Sequence, residues 1–230
     1  NIKVLYEGTN SLINLEKIRS NKARPTMTLT MMDDPVLILA EREKVIKKLP
    51  ADVTNLADLP VGAKPRDAMW ANWCQPMCSF SYNTQSVPKG LASYAEAWDP
   101  KFKERIIIIS MRITQAIAPL LAATHHATKK PLDQCMPDWQ EGIERMKQLK
   151  PNILQVSTNA PQAQQLLETG ECDLYMAPDS RTTLLRKAKG APVDQGRPKE
   201  GILAMPAGIA LVEGGPDQDI GIKFLYGMLG

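Results

Sequence analysis

Gly201-Ile-Leu-Ala-Met-Pro-Ala-Gly-Ile-Ala-Leu-Val212, followed by Glu213-Gly-Gly-Pro-Asp217, decides how this 230-residue chain reads. The first run is apolar and punctuated by glycine, which suits an extended segment whose backbone passes close to other groups. The second breaks it and places Pro216 to open a helix. From Asp217 onward, Ile220, Phe224, Leu225 and Met228 recur at helical spacing and predict one apolar helix face. The run is entered through a charged turn, Pro198-Lys-Glu-Gly201. A strand that enters through a charged turn, crosses the interior and leaves into an amphipathic helix reads as a return crossing into a first lobe.

Outward from that stretch, the repeating pattern is a short apolar strand, a polar turn and a helix. Residues 2–6 read as a strand, and Asn10 or Ser11 can cap a helix that ends near Arg19. Residues 26–32 read as the next strand. Asp33-Asp34-Pro35 then forms an acidic cap with proline in the first helical turn, and the helix is expected to reach about Leu49, with Leu37, Val45 and Ile46 among its apolar positions. Such alternation argues for an α/β architecture with a largely parallel sheet. Residues 50–66 hold several prolines and read as an irregular connection, and residues 69–82 are apolar, aromatic and extended for part of their length.

A second set follows a short helix over residues 91–98. Arg105-Ile-Ile-Ile-Ile-Ser110 is the composition of a strand buried on both faces. Ser110 can cap a helix over residues 111–126, with a kink at Pro119. A helix over 136–149, a strand over 153–156, a helix over 161–168 ended by Gly170, a strand over 172–176 and a helix over 180–189 complete it. Two strand–helix sets joined by two crossings predict a two-lobed α/β protein with a cleft between the lobes.

Composition removes several function classes. The net charge is +3, with basic and acidic residues interspersed, so no basic stripe points to nucleic acid. No apolar run reaches membrane-spanning length. Two histidines, adjacent at 125 and 126, build neither a metal cluster nor a nucleophile–base pair. Cys74 and Cys78 fit neither a redox nor a zinc pattern, and a local disulfide or a reduced pair both remain open. A Cys135–Cys172 bond is admissible in an oxidising compartment.

Tyr82-Asn-Thr, with Val87-Pro88 after it, begins an ordered series that resembles the extracytoplasmic solute-binding proteins of ABC importers. The branch is the type II two-lobed one that includes spermidine/putrescine binders. Tyr94-Ala-Glu-Ala-Trp-Asp-Pro-Lys-Phe-Lys-Glu-Arg-Ile106, Leu167-Glu-Thr-Gly-Glu-Cys-Asp-Leu174, Gly190-Ala-Pro-Val193, Pro198-Lys-Glu-Gly201 and Gly214-Gly-Pro-Asp217 follow in order and span nearly the whole chain. The resemblance implies residues 1–82 as the first part of lobe 1, 83–199 as lobe 2 and 200–230 as the return to lobe 1. It also implies family elements beyond both ends, so the first lobe is expected to be cut short and to expose apolar surface.

In such a fold, ligands sit where strands end and helix N-termini begin. That selects residues 9–11, 32–34, 110–114, 157–159 and 177–181, which are equally the expected helix caps. The candidate ligand-binding residues are Thr9, Ser11, Asp33, Trp73, Ser110, Arg112, Thr114, Asn159, Asp179, Arg181 and Met205. A guanidinium at 112 or 181 can grip a carboxylate or phosphonate with two parallel bonds, and a solvated surface arginine is the other reading of each. Asp33, Asp34 and Asp179 are the counterweight, since a polyamine needs carboxylates. In the polyamine branch, the stretch after the Glu-Gly turn holds amines with a tryptophan and an aspartate. Aligned without gaps from Glu200-Gly201, those positions fall on Met205 and Ala207, which cannot. The adjacent tyrosine pair of the ferric-ion branch is also absent. Trp70 or Trp73 can line the cleft, while Trp98 and Trp139 read as packing.

The resulting expectation is the periplasmic substrate-binding component of an ABC importer, a monomer that captures a small anionic or zwitterionic solute and delivers it to a membrane permease. A polyamine ligand is the alternative within the family. An enzyme or an effector-sensing module on the same fold is the alternative outside it. No cofactor, metal or nucleic-acid partner is expected.

Overall fold

The computed structural model describes residues 3–50 and 66–229, so most of the irregular connection expected over 50–66 lies outside the described residues. The chain divides into two compact units, Asn1–Gln75 with Met205–Gly230, and Pro76–Ala204. The first holds α1 (Ser11–Ser20), β1 (Leu29–Asp33), α2 (Asp34–Arg42), β2 (Ile46–Lys47) and β3 (Ala71–Cys74). The second holds β4 (Met77–Asn83), β5 (Ile106–Ile109), α3 (Ile117–Thr128), α4 (Trp139–Gln148), β6 (Ile153–Ser157), α5 (Ala160–Thr169), β7 (Leu174–Asp179), α6 (Ser180–Ala188), β8 (Val193–Gln195) and β9 (Leu203–Ala204). The chain then returns to the first unit with β10 (Ala207–Val212) and α7 (Gln218–Leu229).

Residues 207–212 of the apolar run are β10, and every residue of β10 is buried. Its side chains divide with the two-residue period of a strand. Ala210 and Val212 join Leu15, Ile18, Met32, Val36, Leu37 and Trp70 on one face. Ile209 and Leu211 join Leu49, Ala71 and Leu225 on the other. A strand covered on both faces has no solvent side, which is why the run lacks polar alternation. β1 lies along one edge of β10, from Leu29 opposite Leu211 to Asp33 opposite Ala207. β3 and β2 share the other edge end to end, with Asn72 opposite Gly208 and Ile46 opposite Val212.

The sequence reading needs several corrections here. All three pairings in this sheet are antiparallel, not the parallel arrangement expected. Residues 3–6 form no strand, and Val4, Leu5 and Tyr6 are exposed. α2 stops at Arg42 because Lys44 takes a left-handed conformation (φ 54°) and the Val45 N–H turns back to the Ala40 carbonyl at 3.1 Å. Val45 and Ile46, read as helical, are buried beyond that turn, and Ile46 begins β2. The inward side of α7 is Leu225, with Ile222 and Met228 packed beside it. Ile220 and Phe224, expected on the same face, are exposed.

In the second unit the strand order is β6-β5-β7-β4-β8, with β9 also beside β4. β5 is the isoleucine strand, buried throughout and parallel to both neighbours, as its composition requires. β4 is antiparallel to β7, β8 and β9. That pairing draws residues 77–83 and 203–204 into this sheet, so the contact boundaries fall at 75/76 and 204/205, where the sequence reading placed 82/83 and 199/200. β8 is too short to carry a pattern and was not anticipated, while β9 falls within residues 201–212, read as one extended segment that here divides into β9 and β10. Ser110 opens no helix; a short 3-10 turn over Thr114–Ala116 precedes α3. Pro119 therefore sits in the first turn of α3, where a missing N–H breaks no bond and makes no kink. Cys135 and Cys172 are both buried thiols and are not joined, and burial pushes the Cys172 thiol up to about 12. Trp139, read as a packing residue, is exposed on α4.

Two glycines set how closely elements approach. A Cβ on Gly142 of α4 would stand 2.1 Å from Thr124 Oγ1 and 3.0 Å from the Leu120 carbonyl oxygen of α3. Helix propensity alone favours Gly142→Ala by about 1 kcal/mol, whereas overpacking of this kind costs about 1–3 kcal/mol. Gly142→Ala is therefore expected to lower stability on balance, read from the denaturant midpoint at unchanged slope. A Cβ on Gly208 would lie 2.4 Å from Trp70 Cδ1 and 2.8 Å from both Asn72 Oδ1 and Leu37 Cδ1. Gly208→Ala is expected to destabilise the first unit by roughly 1–3 kcal/mol and to change the Trp70 fluorescence.

Candidate functional site

In the first unit, polar groups gather where β1 runs out into α2. Asp33 precedes α2, and its Oδ2 accepts from Ser11 Oγ at 2.9 Å while its backbone N–H donates back to that hydroxyl at 3.0 Å. Ser11 begins α1, whose cap is Asn10, accepting from the Ile13 N–H at 3.0 Å. The starts of two helices are thereby tied together. Thr9 lies just before them and donates to the Asn10 carbonyl at 3.1 Å.

Asp34 follows, with its N–H donating to the Pro206 carbonyl at 2.9 Å, so the entry to β10 is tied to the same point. Its carboxylate accepts from Trp70 Nε1 at 3.1 Å and from Asn72 Nδ2 at 3.4 Å. Burial raises its pKa above the usual carboxylate range, against the pull of those two donors. Met205, one residue before Pro206, is buried, and Trp73 on β3 is exposed.

Ser11 and Asp33 are thus brought into contact. Thr9 lies two residues before Ser11, Met205 precedes Pro206, whose carbonyl accepts from the Asp34 N–H, and Trp73 belongs to β3 across β10 from β1. Asn72 was missed in the sequence. Its signal was strand alternation, which puts Asn72 of β3 on the same side as Trp70 just before the strand, and Trp73 on the other.

In the second unit, the parallel strands β5, β6 and β7 end on the same side. Ile109 stands opposite Ser157, and the Ser110 N–H donates to the Ser157 carbonyl at 2.8 Å. Ser110 Oγ then accepts from the Arg112 N–H at 3.3 Å, Arg112 is exposed, and Thr114 begins the short turn before α3. After β6, Ser157 Oγ accepts from the Asn159 N–H at 3.0 Å and donates to its carbonyl at 2.9 Å. Asn159 caps α5 by accepting from the Gln162 N–H at 3.1 Å. After β7, Asp179 caps α6, one oxygen accepting from the Thr182 N–H and the other from Thr182 Oγ1, each at 2.8 Å. Arg181 is exposed in the first turn of α6.

Ser110, Arg112, Thr114, Asn159, Asp179 and Arg181 therefore share one end of one sheet. Two helix N-termini open there, and the unpaired N–H groups of a first turn favour negative charge. The Asp179 carboxylate is already used as a cap. Among the described residues, no group of His, Cys, Asp and Glu could hold a metal ion. His125 Nδ1 faces the Lys130 carbonyl, and both ring nitrogens of His126 face the Arg145 guanidinium. No helix among the described residues is long and apolar enough to cross a membrane.

Comparison with known proteins agrees with this architecture. The chain is similar to the periplasmic binding protein AfuA of Actinobacillus pleuropneumoniae, solved with fructose-6-phosphate bound, at TM-score 0.83 and 17% identity over 100% of this chain and 71% of that one. It is also similar to MotA of A. tumefaciens B6 in complex with glucopine, at TM-score 0.82 and 19% identity over 99% and 69%. A putative spermidine/putrescine ABC transporter from Listeria monocytogenes matches at TM-score 0.80 and 14% identity over 99% and 70%. At these identities the likeness shows the fold. No match is found among curated proteins. The family model for bacterial extracellular solute-binding proteins matches residues 1–230. As the ordered series from Tyr82 onward led us to expect, the chain belongs to the bacterial extracellular solute-binding protein family.

Proposed function

We propose that this chain is the substrate-binding component of an ABC importer and captures a small solute bearing an acid group, anionic or zwitterionic, outside the cytoplasm. The observation that carries this reading is the convergence of three chain exits at one end of the second unit's sheet. Ser110 to Arg112, Ser157 to Asn159 and Asp179 to Arg181 meet there, with the N-termini of α5 and α6 and two exposed guanidinium groups. Helix N-termini and guanidinium groups both favour an anion. Met205, at the position where the polyamine branch keeps an amine-holding group, is a buried thioether and has no charge to offer an ammonium. Relatives of this fold were solved with ligands as different as fructose-6-phosphate and glucopine, both bearing polar groups. In this reading the loaded protein delivers its solute to a membrane permease and performs no chemistry on it.

Calorimetric titration with small carboxylates, phosphonates, sugar phosphates, amino-acid zwitterions and putrescine tests the proposal. At least one acid-bearing solute is expected to bind. At a hundredfold excess over its dissociation constant it should stabilise the protein by about 2.7 kcal/mol. Arg112→Ala or Arg181→Ala is expected to weaken that binding at least tenfold, since a hydrogen bond to a charged group contributes about 1.5–3 kcal/mol. Putrescine binding that survives both substitutions, with no acid bound by the wild type, would refute the reading.

A further inference from the structure

His126 takes no part in the candidate site, yet two other elements of the second unit close on it. It lies in the last turn of α3. Trp98, at the end of the 3-10 turn Tyr94–Trp98, meets its ring edge-on with 5.1 Å between centroids. Arg145 of α4 brings Nε to 3.1 Å from Nδ1 and Nη2 to 3.2 Å from Nε2. The same guanidinium lies 5.2 Å from the Trp98 ring centroid, and Trp98 Nε1 donates to the Arg145 carbonyl at 3.0 Å.

A neutral imidazole has one acceptor nitrogen to offer this guanidinium, and an imidazolium has none. Protonation would remove the acceptor and set a second cation against Arg145. Other charges act on the ring as well. Lys129, just past α3, and His125 on α3 oppose a positive ring, while Glu200 favours one. Glu141 and Glu144 of α4 line the shallow groove beside it. Burial and Arg145 outweigh the attraction and hold the imidazole pKa down, from 6.5 to about 4.

The Trp98 turn also fastens a more distant stretch. Its cap, Ser93, donates through Oγ to the Glu200 carboxylate, which also accepts from the Tyr94 N–H at 3.4 Å. The Lys199 N–H donates to the Ala92 carbonyl at 2.9 Å. Residues 199–200 lie just before β9 and the return to the first unit.

We propose that His126 is an acid-sensitive latch: neutral, it lets Arg145 clamp the Trp98 turn between α3 and α4; protonated, it releases Arg145 and loosens that turn together with residues 199–200. The folded state prefers the neutral ring, so the latch's contribution is complete above about pH 6.5 and is lost as pH falls toward 4.

Amide hydrogen exchange at pH 7 and pH 5, corrected for intrinsic exchange rates, provides the test. In the wild type, protection in α4 and at residues 199–201 is expected to fall roughly tenfold more than elsewhere in the unit, after discounting the full linkage for solvent screening. In His126→Gln, which cannot gain a charge, that local excess should be about twofold or less. A nitrogen-15 titration of the wild-type imidazole needs no variant and should show a midpoint well below 6.5. An ordinary midpoint, or the same local loss of protection in His126→Gln, overturns the proposal.

Discussion

The first unit depends on keeping water away from a single strand. β10 is buried on both faces, so each of its backbone N–H and C=O groups must find a partner in the protein. β1 supplies one edge, while β2 and β3, neither long enough to cover the strand alone, supply the other. The helices follow from this arrangement, because α1 and α2 cover one face and α7 the other. The polar cluster follows too. Asp33 stands opposite Ala207 and Asn72 opposite Gly208, so the end of the sheet is where Asp33, Asp34, Trp70 and Asn72 are brought together.

Much of this was legible before any coordinates. Four successive isoleucines named the strand buried at the heart of the second sheet, and the glycine-punctuated run named the central strand of the first. Helix caps were readable because they are local: Asn10, Asn159 and Asp179 each accept from an N–H three residues on. Strand direction in the first unit was not readable. Alternation of strands and helices suggests parallel pairing, but direction depends on where partners lie in the chain, and here β10 returns from far away to pair with β1. Nor was the end of α2 legible, since Lys44 in a left-handed conformation carries no compositional mark of a turn.

The candidate site divides along the same line. The residues at strand ends were named because the end of a strand is visible in a pattern. What each does was less visible. Asp179 looked like a ligand carboxylate and has both oxygens engaged as a cap. Asn72 looked like nothing at all, and its contact with Asp34 exists only because Gly208 leaves room on the neighbouring strand. Two adjacent histidines gave no hint that burial, and then the facing Arg145, hold the His126 imidazole pKa down.

The return of β10 also sets an order of assembly. The second unit is one continuous stretch, residues 76–204, and its contacts become available as soon as that stretch exists. The first unit must join residues 29–33 to residues 207–211, so its sheet has no centre until the chain has been made as far as β10. Closing so long a loop adds only a slowly growing entropic cost, but it delays the contacts that offset that cost. During synthesis or passage across a membrane, the second unit can therefore fold first, while the apolar faces of α1 and α2 wait uncovered. That interval is when the chain is most exposed to aggregation, and when a holding chaperone has the most to protect.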